Sequence, residues 1–97
     1  MTLFATTYRY APDSDAARDA TRPAHRDYLG TLTQQGNLLL SGPYVGGEAS
    51  ALLVFEADTE DAARALTDAD PFVTEGLVAE ITVREWQTVS GRLAEHV

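Results

Sequence analysis

The chain has 97 residues, the length of one domain, and sets 15 acidic side chains against 7 basic ones for a net charge of −8. That balance argues against a nucleic-acid partner, because such binding rests on basic side chains neutralising phosphates. All seven basic residues are Arg and there is no Cys, which removes Schiff-base and P-loop chemistry along with thiol nucleophiles, iron–sulfur clusters, thiolate zinc sites and disulfides.

What remains for chemistry is two histidines, the carboxylates, four tyrosines, hydroxyls and guanidiniums, so an enzyme built from this chain would work by acid–base or electrostatic means. No apolar run approaches the ~20 residues that span a bilayer. The start, MTLFATTYRYAPD, has neither the basic beginning nor the long apolar stretch of a secretion signal, and the expected location is cytoplasmic.

In chain order, LFATTYRY (3–10) is rich in β-branched and aromatic residues and places Phe4, Thr6, Tyr8 and Tyr10 on one face, which predicts a strand closed by the turn APDSD. Residues 15 to 35 read as helical with a break near Pro23, since Pro suits a first turn but not a helix interior. Gly36 is placed to stop that helix. NLLLS (37–41) predicts a short strand and GPYVGGE (42–48) a loop whose paired glycines would let it close over a site. SALLVFEA (50–57) is a nearly unbroken apolar run, as for a central strand covered on both faces. Asp58 or Thr59 then caps a second helix, Asp70-Pro71-Phe72 makes a turn, and LVAEITVREW (77–86) alternates as a last strand. The tail to Val97 carries no assignment.

The order β-α-β-β-α-β, with right-handed crossovers, predicts a single α+β domain over residues 1–97. Its form is the ferredoxin-like fold, a four-stranded antiparallel sheet with two helices on one face. Such a sheet leaves its other face open, and the apolar residues there predict a homodimer that covers it.

Three short stretches carry the candidate chemistry. His25, Tyr28, Leu29 and Leu32 fall at i, i+3, i+4 and i+7, so His25 shares the inward stripe of the helix while Arg26 and Asp27 face water. Arg22 lies a turn earlier on a similar azimuth. Ser41 ends a strand ahead of Gly42 and Pro43. Asp70 precedes a proline, where its carboxylate can cap a short helical turn. Each has an ordinary structural explanation: a core-edge histidine, a strand-ending turn, a cap. Tyr8, Tyr10, Phe72 and Trp86 are candidates for a pocket wall and equally for core or dimer interface. One internal histidine with carboxylates is a poor zinc set, and neither a metal nor a cofactor is expected.

Taken together, Arg22-Pro23-Ala24-His25, Tyr28-Leu29, Leu32, Gly36, Ser41-Gly42-Pro43, Asp70-Pro71-Phe72 and Gly76-Leu77-Val78 resemble the YCII-related (YciI-like) family over nearly the whole chain. The resemblance implies a ferredoxin-like fold similar to that of muconolactone isomerases, pairing into a dimeric α+β barrel, and a pocket in which a His–Asp pair has been suggested as catalytic. Carried over, that pair is His25 and Asp70, with Ser41 and Arg22 nearby and Tyr8, Gly42, Pro43 and Phe72 around the ligand. Some relatives act on chlorinated or hydroxylated aromatic breakdown products. Two functions follow: an enzyme that isomerises, or eliminates from, a small anionic cyclic or aromatic metabolite, or a non-catalytic domain that holds such a ligand in the same pocket. A carboxylate bonded to the histidine favours the first, and an Asp70 that only caps its own turn favours the second.

Overall fold

The structure, a computed structural model, describes residues 2–96; Met1 and Val97, the two ends of the expected domain, lie outside the described residues. Four strands and three helices follow one another as β1 (Leu3–Tyr10), α1 (Asp15–Gln34), β2 (Leu38–Pro43), β3 (Ser50–Glu56), α2 (Glu60–Ala65), α3 (Pro71–Thr74) and β4 (Val78–Trp86), with a final 3-10 turn at Ala94–His96. The strands form one antiparallel sheet in the order β2-β3-β1-β4. This is the ferredoxin-like arrangement, with α1 crossing from β1 to β2 and the α2–α3 segment from β3 to β4.

Strand register sorts the side chains by face. Phe4, Thr6 and Tyr8 of β1 lie opposite Phe55, Leu53 and Ala51 of β3, and all six are buried. All but Thr6 join the hydrophobic core, with Leu32 of α1, Ala63 of α2 and Phe72 of α3. The alternate positions pair Leu3 with Glu56, Ala5 with Val54 and Thr7 with Leu52 on the other face. Leu3 and Val54 are buried there too, because the segment from Gln87 to Ala94 flanks them together with Leu40 and Trp86. Leu40 (59% exposed) and Trp86 (47%) remain largely open to solvent on that face. Among the described residues no helix is long and apolar enough to cross a membrane.

Two local expectations are corrected. Helix α1 runs unbroken through Pro23. The missing Pro N–H costs one hydrogen bond on a solvent-facing turn, while packing of Tyr28, Leu29 and Leu32 against the core holds the helix C-terminal to it. Gly42 and Pro43 do not turn the chain; they extend β2 and lie opposite Leu52 and Ala51. A proline is tolerated there because β2 is an edge strand and needs no donor on its outer side. The β2–β3 connection closes instead through Gly46 and Gly47, whose φ values of 77° and 69° lie in the left-handed region, with the Tyr44 N–H donating to the Ser50 carbonyl. Asp70 caps the short helix α3, with Pro71 as its first residue, as the Asp-Pro pair implied.

Candidate active site

The site is organised around Asp70. Its backbone is extended, at φ −67° and ψ 124°, and Pro71 opens α3 with the fixed φ that suits a first helical residue. The cap follows locally: Asp70 Oδ1 accepts from the Phe72 N–H at 2.9 Å. The same oxygen lies 2.7 Å from His25 Nδ1 on α1. The other oxygen, Oδ2, accepts from the Tyr8 hydroxyl at 2.8 Å, across 62 residues of sequence. Asp70 is fully buried, so these three donors take the place of water around its carboxylate.

That geometry orients the histidine. An ionised carboxylate only accepts hydrogen bonds, so His25 Nδ1 carries the hydrogen and Nε2 is left as the ring nitrogen available to a ligand. The imidazole stacks on the Phe72 ring, with centroids 3.9 Å apart and planes 6° from parallel. Tyr10 meets the edge of Phe72 at 5.7 Å. Burial, reinforced by the Asp70 carboxylate, pushes the Tyr8 phenol far above the usual tyrosine range, so it stays a neutral donor. Burial also raises Tyr10, against the pull of Arg18, and it raises Tyr28, whose hydroxyl donates to the Leu66 carbonyl at 2.5 Å.

His25 and Phe72 form part of the wall of a cavity of about 250 Å³ between α1 and the edge of the sheet. Ser41, Gly42 and Pro43 of β2 line the opposite side, so the strand extension beyond Ser41 is what brings that tripeptide to the site. Tyr10, Leu29, Ala51 and Leu53 supply apolar surface. Arg22 is on the wall as expected, paired with Asp19. Two expected wall residues lie elsewhere. Tyr8 is beneath Asp70 rather than on the cavity surface, and Trp86 belongs to the opposite face of the sheet.

Two arginines at the cavity were not singled out from sequence. Arg18 lies over the Tyr10 ring at 4.3 Å and donates to Ser14 Oγ at 3.0 Å, and its side chain is 12% exposed. Arg26, although exposed as its helical position implied, reaches the cavity rim. The signal was present: Arg18, Arg22 and Arg26 recur at i, i+4 and i+8, one helical ridge. All three line a single opening, where Arg18 is ion-paired with Asp15 and Arg22 with Asp19. Among the described residues, no group of three or more His, Cys, Asp or Glu is placed to hold a metal ion.

The YCII-related domain, as a family pattern, matches residues 2–87, which include every residue of this site. The chain belongs to the YCII-related family. It is 31% identical to protein YciI of Escherichia coli O6:H1, in an alignment covering 79% of this chain and 88% of that one. Among solved structures it is similar to the 5-chloro-2-hydroxyhydroquinone dehydrochlorinase TftG of Burkholderia phenoliruptrix AC1100, in complex with 2,5-dihydroxybenzoquinone. The TM-score is 0.80 at 26% identity, over 90% of this chain and 95% of that one. A NIPSNAP domain protein of Burkholderia xenovorans shares the fold at a TM-score of 0.55 and 17% identity, over 95% of this chain and 96% of that one. In this YCII-related chain the family match ends at Gln87, next to the end of β4, and the tail beyond it lies outside the match.

Proposed function

We propose that this protein is a small-molecule enzyme in which His25 and Asp70 act as an acid–base pair on a planar, anionic, hydroxylated ring. The observation that carries the proposal is the 2.7 Å contact between His25 Nδ1 and Asp70 Oδ1, which leaves Nε2 for the substrate. Asp70 caps α3 and binds His25 with one oxygen, so the two roles that distinguished an enzyme from a binding module coexist. Arg22, with Arg18 and Arg26, attracts and orients the anion, and Phe72 offers a flat surface. The Ser41 hydroxyl is the donor for oxygen charge that develops during reaction, within β2, where Gly42 and Pro43 continue the wall.

The similarity to the dehydrochlorinase supports elimination as the reaction. His25 Nε2 takes a proton from a ring hydroxyl and returns it to the carbon that bears the halogen, giving a keto tautomer. Halide then leaves with the bonding electron pair while a second hydroxyl loses its proton. One hydrogen halide is lost, a quinone forms, and no external oxidant is needed. The homodimer through the open sheet face belongs to the same reading and is supported by the exposure of Leu40 and Trp86 there.

The test is chloride release from 5-chloro-2-hydroxyhydroquinone by the natural protein and by His25→Asn. Turnover that falls ~10²–10⁴-fold in the variant is the expected result for loss of a general acid–base. Binding of 2,5-dihydroxybenzoquinone without turnover of any halogenated hydroxyquinol would return the site to a non-catalytic ligand domain.

A further inference from the structure

Tyr8 was expected at the ligand and is found beneath the carboxylate, and that displacement carries an inference about how the pair is held. The Tyr8 side chain is buried to 1% exposure on the core face of β1, and its hydroxyl donates to Asp70 Oδ2 at 2.8 Å. It has no surface on the cavity that His25 lines. A tyrosine that only filled core volume could be a phenylalanine, with no buried hydroxyl to satisfy. Here the hydroxyl meets the one oxygen that neither the cap nor the histidine uses.

We propose that Tyr8 is a positioning residue: by holding Asp70 Oδ2, it sets the orientation of the carboxylate and the strength of the Asp70–His25 hydrogen bond. The assignment rests on the reading of His25 and Asp70 as the working pair, although the bond itself exists whatever the protein catalyses. The physics is competition for one acceptor. Three donors share the electron density of a single buried carboxylate, and hydrogen bonds in such a network polarise one another. Withdrawing the Tyr8 donor leaves more density on Asp70 and tightens the bond from His25 Nδ1–H. A stronger donor at position 8 does the reverse. Tyr8 therefore tunes the basicity of Nε2 without touching substrate, through two hydrogen bonds in series.

The test reads the His25 Nδ1–H proton directly by NMR in a ring-¹⁵N-labelled protein, with His96→Gln throughout to leave one imidazole. The natural residue at position 8 is compared with Tyr8→Phe and with 3-fluorotyrosine installed there. The fluorinated ring keeps the hydroxyl and nearly the same shape while making it a better donor, so it remains informative should Tyr8→Phe fail to fold. The expected result is displacement in opposite directions: downfield in Tyr8→Phe, as the His25–Asp70 bond shortens, and upfield with 3-fluorotyrosine, as it weakens. A resonance that stays in place with 3-fluorotyrosine, or moves the same way in both, overturns the proposal and returns Tyr8 to a purely structural role. Because the measurement is made on the resting protein, its outcome is independent of whether chloride release is observed.

Discussion

At the scale of single residues, one oxygen of Asp70 does two things at once. It ends a turn in the way Asp-Pro sequences commonly do, and it holds a histidine 45 residues earlier. The local half of this was legible in the sequence, since a cap needs only its own next two residues. So was the inward aspect of His25, from its spacing with Tyr28, Leu29 and Leu32. The Tyr8–Asp70 bond was not, because alternation along β1 states which face a side chain takes but not which distant group it meets. The consequence for stability is specific. Asp70→Asn replaces an acceptor-only group by one that must turn an NH₂ toward at least one of three donors. We expect it to destabilise the protein by about 1–3 kcal/mol, seen as a lower urea midpoint, with the exposed Asp27→Asn as a near-neutral control. An Asp70→Asn midpoint equal to that of the control would mean that the carboxylate is not committed as described.

At the scale of elements, strand and helix identities followed from period and composition, and the departures have a common cause. Pro23 and Pro43 were given their usual local weight as breakers, yet the tertiary context set each aside. Pro43 sits on a sheet edge where its missing N–H faces outward, and Pro23 sits on the solvent side of a helix that core packing holds together. The cost at Pro23 is still present in the native helix. Replacing it by Ala restores a backbone hydrogen bond and removes the ring clash, worth up to ~3 kcal/mol, offset in part by the greater freedom of the unfolded chain. Pro23→Ala is therefore expected to raise the melting temperature, and a fall would show that the proline stabilises the first turns of α1 in a way the geometry does not reveal.

At the scale of the molecule, a chain of net charge −8 presents three arginines around one small opening and an apolar stretch on the opposite face of its sheet. The second feature bears on assembly. Sedimentation at micromolar concentration is expected to give twice the 10.5 kDa chain mass, and Trp86→Lys to shift the population toward the monomer. A chain that sediments as a monomer throughout would remove the homodimer. Alkaline stability is a second property of the whole. Burial raises the phenols of Tyr8, Tyr10 and Tyr28, so the folded state holds their protons more tightly than the unfolded state does. Their contribution is complete below the ordinary tyrosine pKa of about 10 and is lost as pH climbs above it. Tyr8 alone accounts for a slope of up to ~1.4 kcal/mol per pH unit there, so urea unfolding of Tyr8→Phe should depend less steeply on pH above about 10. Equal slopes would place that phenol in water.

The most direct test of the acid–base reading is the ¹⁵N spectrum of the His25 ring, recorded as 2,5-dihydroxybenzoquinone is added to the His96→Gln protein. Nδ1 is expected to keep its hydrogen toward Asp70 throughout, while the Nε2 resonance moves in step with ligand occupancy. An Nε2 signal that stays in place while the ligand binds would contradict it, because the histidine would then not face the substrate.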